Sequence, residues 1–386
     1  MSIRLSIIIP CYNCEKTLRQ AVDSCYVQGF SDDEFEIIMV DDGSSDGTRE
    51  LMEEIVNEHS NIHLLYHEEN KGGGATRNTG VKKAIGEIIY CLDSDNFFAE
   101  DSVGPMITYL AQKNADGVAF FERRFFVDTN ILKYDSKYGN IVDRAILLED
   151  LFSEEPIMLD NFFFTKKSFL TTSQYPEHHG FDTQTFEIEY VTKNNKVLIC
   201  PDSIFYHRQN QHGHKSYYER EYERGLISIN SYLAFEPVIQ DLNFEVIELM
   251  IHFDIFQNNI HGAHTNLRAA ISRYVQSGKQ LLKTVGETTS PLSVTYVTMC
   301  QHIHNKEYIK AQESLEQCIL HAQKETPLLQ YMQMRITYLR EGMSSMATHE
   351  RIVKYLQDNK MLNRPKYRRI PEILKPLHEI YLRLFK

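Results

Sequence analysis

The sequence predicts an α/β domain, a sheet with helices on both faces, followed by an all-α C-terminal domain. Three observations carry this. Apolar, β-rich runs alternate with helically spaced apolar residues through the first hundred positions, the pattern of βαβ units and a parallel sheet. Polar clusters stand at the carboxyl end of three of those runs, Pro10–Asn13, Asp41–Ser44 and Asp93–Asn96, where open α/β sheets bind their ligands. From about Tyr217 onward strand signals fade and helical periodicity dominates.

Leu5–Ile9 reads as a short buried strand. Glu15–Gln28 reads as a helix, with Leu18, Ala21, Val22 and Cys25 on one side. Phe35–Val40 is a second strand. Thr48–Glu58 is a second helix, its apolar side made of Leu51, Met52, Ile55 and Val56. Ile62–Tyr66, Ala75–Lys83 and Glu87–Leu92 follow as strand, helix and strand. Residues 100–215 mix both patterns and are rich in aromatics, as in Phe120-Phe121 and Phe162-Phe163-Phe164; Thr183–Lys193 reads as a helix there and Ser203–Tyr206 as a strand. Ala311, Leu315, Cys318, Ile319 and Ala322 form one apolar stripe. Leu329, Met332, Ile336 and Leu339 form another after the break at Thr326-Pro327, which predicts a helical hairpin. The expected domains are 1–215 and 216–386.

Bulk properties narrow the function. The 386 residues are too many for one ordinary core. A net charge of −12 excludes nucleic acid as a partner of the whole surface. No apolar run approaches the roughly 18–20 residues of a membrane span, and MSIRLSIIIPCYN reads as a first strand rather than a signal peptide. Seven scattered cysteines, an odd count in a large chain, fit a reducing compartment and a cytoplasmic protein. Cys11 and Cys14 have CxxC spacing without the second pair a zinc site needs. Residues 351–386 hold ten Lys/Arg against three Asp/Glu. This basic tail suits either a peripheral contact with the anionic inner face of a membrane or an ordinary solvated helix pair.

Three stretches carry the chemistry. Asp93-Ser94-Asp95 closes an apolar run. Alternate strand side chains point the same way, so the two acids project together and repel unless a cation sits between them. Mg²⁺ or Mn²⁺ would suit, with a diphosphate completing its shell; the competing reading is a helix N-cap ahead of Phe97-Phe98-Ala99-Glu100. In Asp41–Thr48, a carboxylate at a strand end can accept the imide N–H of uracil, Gly43 permits a tight turn, and Ser45, Asp46 or Thr48 can cap the next helix. The competing reading is generic turn chemistry. In Asn70–Gly80, three glycines suit close approach by a ligand, and Arg77 is placed to meet a base or a phosphate; a flexible loop before a helix is the alternative.

Taken together, "SIIIPCYNCEKTLRQAVDS", "EIIMVDDGSSDGT", "NKGGGATRNTG" and "YCLDSDN" resemble glycosyltransferase family 2, over roughly residues 3–210. The resemblance implies the GT-A fold, a Rossmann-like mixed sheet, and transfer of a sugar from a nucleotide diphosphate. It further implies that Pro10 and Tyr12 line the nucleobase pocket and that Asp42 binds the uracil ring with Arg77 close by. Asp93 would contact the ribose or a metal-bound water, and Asp95 would hold the divalent metal, Mn²⁺ or Mg²⁺. The usual form is "LDSDD"; here Asn96 replaces the last Asp.

Residues 175–209 resemble the family stretch that places "ED" ahead of a helix, especially in the branch containing the polyol-phosphate glycosyltransferases of wall teichoic acid. Phe181-Asp182 stands where Glu-Asp is usual. Asp182 then matches the catalytic base of inverting members; an N-cap is its competing role. Glu187 and Glu189 are fallback bases, or else a solvated helix face. His207 can ligate the metal, and Arg208, His212, His214 and Lys215 can meet phosphate charge as a lid, unless the stretch is a polar loop without a ligand. The implied reaction is inverting, metal-dependent transfer of a hexose or N-acetylhexosamine from a UDP-sugar to a glycan or polyol-phosphate acceptor, in cell-surface polysaccharide synthesis. The helical C-terminal domain would serve acceptor, partner or membrane, and a homo-oligomer is left open. Two alternatives stand. One is a non-catalytic nucleotide-sugar-binding or scaffold protein, which Phe181 keeps in play. The other is a haloacid-dehalogenase-like phosphatase, whose DxD normally sits on the first strand and continues to Thr or Val.

Overall fold

The computed structural model describes residues 4–127 and 130–135, most of 142–177, residues 182–208 and most of 295–358. Phe181, His212, His214, Lys215, the expected boundary at 215 and the basic cluster 364–369 lie outside the described residues.

The chain begins with three strand–helix units and a fourth strand: β1 (Leu5–Cys11), α1 (Leu18–Tyr26), β2 (Phe35–Asp41), α2 (Thr48–Val56), β3 (Ile62–Tyr66), α3 (Gly73–Lys83) and β4 (Ile88–Cys91). β3, β2, β1 and β4 pair in parallel, in that order. Strands buried on both faces read as continuous apolar runs, and β1 and β2 show why. Ile7, Ile9, Ile37 and Met39 enter the core under α1 and α2, while Ile8, Ile38 and Val40 enter the core under α3. The one polar residue of β1 that is fully buried, Ser6, donates to Glu36 at 2.6 Å and accepts from the Gly86 N–H at 2.9 Å. α3 lies close on β1: a Cβ at Gly80 would stand 2.2 Å from Ile8 Cγ2.

Beyond β4 the sheet becomes mixed. β5 (Phe97–Phe98), α4 (Val103–Gln112), β6 (Gly117–Val127), β7 (Asn130–Asp135), α5 (Leu148–Leu151), β8 (Phe163–Thr165), α6 (Lys166–Phe169), α7 (Asp182–Thr192) and β9 (Val197–Arg208) complete it. The order is β3-β2-β1-β4-β8-β6-β9-β5, with β7 on β6. β8 runs antiparallel to both β4 and β6, and β5 antiparallel to β9. The aromatic-rich middle of the chain is the packing of this half. Tyr90, Phe98, Phe120, Phe163 and Phe205 cluster on one face, and Phe162, Phe164, Phe186 and Tyr190 on the other.

Several boundaries differ from expectation: α2 ends at Val56, and β9 runs from Val197 to Arg208, so that His207 lies within the strand rather than after it. α1 starts at Leu18 rather than Glu15, because Asn13 takes a left-handed φ of +50° and the Glu15 carboxylate is drawn to the Gly47 N–H at 2.8 Å. α3 starts at Gly73, two residues early, from Gly72 at φ +88°.

In the C-terminal segment, α8 (Tyr308–Ala322) and α9 (Pro327–Arg340) form the expected hairpin, and α10 (Ser345–Asp358) packs on α9. Ala311, Leu315, Cys318, Leu329, Met332 and Ile336 are buried in the same apolar cluster as Phe162, Phe186 and Ile188. The hairpin thus continues the core of the α/β domain. No helix among the described residues is long and apolar enough to cross a membrane.

Candidate active site

Three loops meet at the carboxyl edge of β1, β2 and β4, and hydrogen bonds stitch them together. Asn13 Oδ1 accepts from the Ser45 N–H at 2.8 Å, Ser44 Oγ from the Asn13 N–H at 3.0 Å, and Thr48 Oγ1 from the Cys14 N–H at 2.8 Å. Asp46 receives the Thr48 N–H and hydroxyl just ahead of α2, whose N-cap position is Gly47 rather than any of the three expected residues. Gly43 takes φ +75° and runs against the backbone of Glu69 and Asn70, where a Cβ would come within 2.9 Å of Asn70 N. That close approach joins the second loop to the glycine-rich one. Tyr12 is left 52% exposed at the rim, with Pro10 partly exposed beside it.

The two adjacent acids of Asp41-Asp42 have separate partners. Asp41 is buried, takes the Gly43 and Ser44 N–H groups, and pairs with Arg49 at 2.6 Å. Asp42 Oδ1 receives His67 Nδ1 at 2.7 Å and the Lys71 N–H at 2.8 Å, and Oδ2 receives the Gly72 N–H at 2.8 Å. A carboxylate only accepts, so His67 Nδ1 carries the proton; its Nε2 lies 3.0 Å from Thr79 Oγ1. Asp42 therefore ties the Asn70–Gly74 loop to β2, with acceptor capacity left on Oδ2.

Asp93-Ser94-Asp95 lies in a turn after β4, not in the strand, and the Asn96 N–H closes that turn on the Asp93 carbonyl at 2.9 Å. Strand alternation therefore does not place the two side chains. β5, not a helix, follows the turn, so the capping reading fails. Burial pushes the Asp95 carboxyl above its ordinary range, the charge of Asp93 raises it further, and His207 and Arg208 offset part of this. β9 brings those two residues in. The Arg208 N–H donates to Asn96 Oδ1 and its Nε to the Asp95 carbonyl, each at 2.9 Å.

Arg77 is 7% exposed on the first turns of α3. Its NH2 donates to Asp93 Oδ1 at 2.6 Å, its NH1 donates to Asp182 Oδ2, and its guanidinium lies 5.6 Å from the centre of the Tyr175 ring. Asp182 opens α7 and is buried; burial raises its carboxyl and Arg77 offsets part of that.

Residues 6–181 match the family model described as Glycosyl transferase family 2. The chain carries a glycosyltransferase family 2 domain. The match supports a nucleotide-sugar-dependent glycosyltransferase over the phosphatase reading. Glycosyltransferase GlyG of Streptococcus pneumoniae is 24% identical over 269 residues, 64% of this chain and 85% of that protein. Poly(ribitol-phosphate) beta-N-acetylglucosaminyltransferase TarS of Staphylococcus aureus is 26% identical over 233 residues, 57% of this chain but 38% of that protein. This chain also spans 43% of an uncharacterized glycosyltransferase of Haemophilus influenzae, so several relatives are much longer than the region they share with it. Among solved structures, mannosyltransferase PcManGT from Pyrobaculum calidifontis, in complex with GDP-Man and Mn2+, has the same fold. Its TM-score is 0.50, at 18% identity, over 84% of this chain and 89% of that one.

In this glycosyltransferase the residues fit a divalent cation. His207 Nδ1 is buried without a hydrogen-bond partner among the described residues, and the Asp93–Asp95 repulsion is the kind a cation relieves. No group of three or more His, Cys, Asp or Glu side chains disposed to hold a metal occurs among the described residues. Protein ligation would thus rest on Asp95 and His207, with diphosphate oxygens and water completing the shell, as Mg²⁺ commonly binds.

The fallback bases are structural. Glu187 and Glu189 are buried rather than on a solvated face, because distant loops fold over α7. Glu187 Oε2 accepts from the Leu159 N–H at 2.8 Å, and Glu189 Oε1 from the Ser173 N–H and hydroxyl, both at 2.8 Å. The glycine-rich loop is also shaped by protein. A Cβ at Gly73 would stand 2.8 Å from Arg77 NH1 and 3.0 Å from Asp182 Oδ2, and one at Gly74 only 2.0 Å from the Pro176 carbonyl oxygen. Sequence reasoning missed His67, Tyr175 and Asn78. His67 stands at the first position past β3, which is the one local signal that could have flagged it.

Proposed function

We propose that this glycosyltransferase transfers a hexose or N-acetylhexosamine from a UDP-sugar, with inversion, to a glycan or polyol-phosphate acceptor in cell-surface polysaccharide synthesis. One observation carries the reading: the Asp93–Asp95 turn and the buried Asp182 converge on a single guanidinium at the carboxyl edge of the sheet. Donor-side acids and a candidate base thus share one ion-pair network. The names of two relatives, a poly(ribitol-phosphate) beta-glucosyltransferase of Bacillus spizizenii and TarS, favour the polyol-phosphate acceptor and the sugar class.

In this reading Tyr12 and Pro10 flank the uracil ring, the open capacity of Asp42 Oδ2 takes its imide N–H, and Asp93 takes the ribose. Asp95 and His207 would hold Mn²⁺ or Mg²⁺, which when bound offsets the charge of the departing diphosphate. With Oδ2 engaged by Arg77, Asp182 Oδ1 receives the acceptor hydroxyl proton while that oxygen attacks the anomeric carbon and the bond to UDP breaks. The basic stretch 351–386 suits a peripheral contact at an anionic membrane face.

The test has two stages. First, UDP- and GDP-sugars are screened for thermal stabilisation with Mn²⁺ present. Second, UDP release from the stabilising donor is compared in wild type and Asp182→Asn. The variant should keep the donor-induced shift and lose about 10²–10⁴-fold in turnover. Full turnover in Asp182→Asn moves the base elsewhere. Donor stabilisation with no UDP release from wild type reduces the protein to a binding role.

A further inference from the structure

Arg77 joins the two halves of the site, and the glycine-rich motif is built around that junction. Its fork reaches Asp93 with one terminal nitrogen and Asp182 with the other, across 16 and 105 residues of sequence. Three features hold it there. The Tyr175 ring backs the guanidinium. Asn78, one residue along α3, fastens the Tyr175–Glu177 loop through the Tyr175 carbonyl (2.8 Å), the Tyr175 N–H (3.0 Å) and the Glu177 carboxylate (2.8 Å). Gly73 and Gly74 leave the space into which Asp182 and the Pro176 carbonyl reach.

We propose that Arg77 is a positioning residue for the base: it fixes the orientation of Asp182 and registers it against Asp93 on the donor side. This rests on the reading of Asp182 as base. The described titratable and charged groups that face Asp182 are Arg77 from α3, Asp93 from the turn after β4, Cys91 from β4 and Tyr175 from the loop before α7. Arg77 is the cation among them, and its planar fork spans two carboxylates as a lysine ammonium does not.

The experiment uses the full chain with Mn²⁺, UDP-N-acetylglucosamine and UDP-glucose as donors, and water as acceptor, reading UDP release. Arg77→Lys should lower kcat about 30-fold or more with donor KM within about threefold, the pattern of a lost transition-state interaction. The acid limb of its kcat profile should move to higher pH, because a carboxylate whose close cation has receded holds its proton more tightly. In the Asp182→Asn background the same substitution should cost no more than about threefold, since residues acting as a unit are non-additive. Equal losses in both backgrounds, or an unmoved acid limb, overturn the proposal. A raised KM at constant kcat also overturns it, in favour of a direct donor contact. Retained activity in Asp182→Asn would instead sink the base assignment beneath it. Should Arg77→Lys fail to fold, Gly73→Ala presses on Arg77 NH1 and Asp182 Oδ2 with every charge kept. It should lower kcat in the same manner, and wild-type kinetics in it would refute the inference.

Discussion

Gly74→Ala tests whether the glycines make room for protein or for ligand. The added Cβ would stand 2.0 Å from the Pro176 carbonyl oxygen, about 1.4 Å short of the 3.4 Å at which ordinary contact begins, and 3.3 Å from Asp182 Cβ. The obstacle is backbone, and Asn78 pins that loop to the same helix through two hydrogen bonds to the Tyr175 backbone and one to the Glu177 carboxylate. The Tyr175–Glu177 loop must therefore lift off α3 by more than 1 Å, dragging the entry to α7 with it. A misplacement of about 1 Å at a reacting group costs about 10²-fold in rate. Overpacking costs about 1–3 kcal/mol, and Ala in place of Gly within a helix returns about 1 kcal/mol. The variant should thus fold, lose about 2 kcal/mol or less in a denaturant titration, and lose about 10²-fold in UDP release. Its donor-induced thermal shift should persist. Wild-type turnover would refute the packing argument, and loss of the thermal shift would return the glycines to a ligand.

Asp95→Asn should abolish the Mn²⁺-dependent part of donor stabilisation. It should also raise the melting temperature of the metal-free protein at pH 7. The Asp95 carboxyl is raised in the folded state, so its ionised form is a cost that is present above the folded pKa and vanishes below the unfolded value. The gain over wild type should therefore shrink as pH falls toward 4 in a series of thermal melts, and a gain independent of pH would contradict it. His67→Ala removes one of three described donors to a buried carboxylate, so urea titration should show a loss of about 1–3 kcal/mol. A loss below about 0.5 kcal/mol would mean that Asp42 does not depend on the ring.

β1, β2 and β4 were legible because parallel strands covered on both faces are apolar at nearly every position, and β3, an edge strand with His63 and Tyr66 exposed, through its β-rich run alone. The carboxyl-edge rule then pointed to the right loops. What the sequence hid was non-local. β5 and β8 have two and three residues, too few for any period, and they exist because β9, β4 and β6 offer them edges. Glu187 and Glu189 sit on a helix whose local pattern looks solvated, and they become buried through loops 28 and 16 residues away. The carboxylate partners of Arg77 come from the turn after β4 and the start of α7, so nothing near it in sequence announces them.

Asn96 shows how the site distributes charge. Its Oδ1 accepts from the Arg208 N–H, and its Nδ2 faces Asp93 Oδ2 at 3.4 Å, a weak contact by distance but one of the right sign. An aspartate there could still accept from Arg208, yet it could only repel Asp93. The turn already holds two acids, and their repulsion contributes to the raised Asp95 carboxyl. Arg77 answers the charge of Asp93, while Arg208 spends its Nε and N–H on the Asp95 carbonyl and Asn96, bringing His207 alongside. A third carboxylate would need a second cation, whereas the amide latches β9 to the turn and adds no charge. The departure from "LDSDD" thus leaves Asp95, with His207 Nδ1 unpartnered among the described residues, as the acid of the turn whose charge a divalent ion would answer.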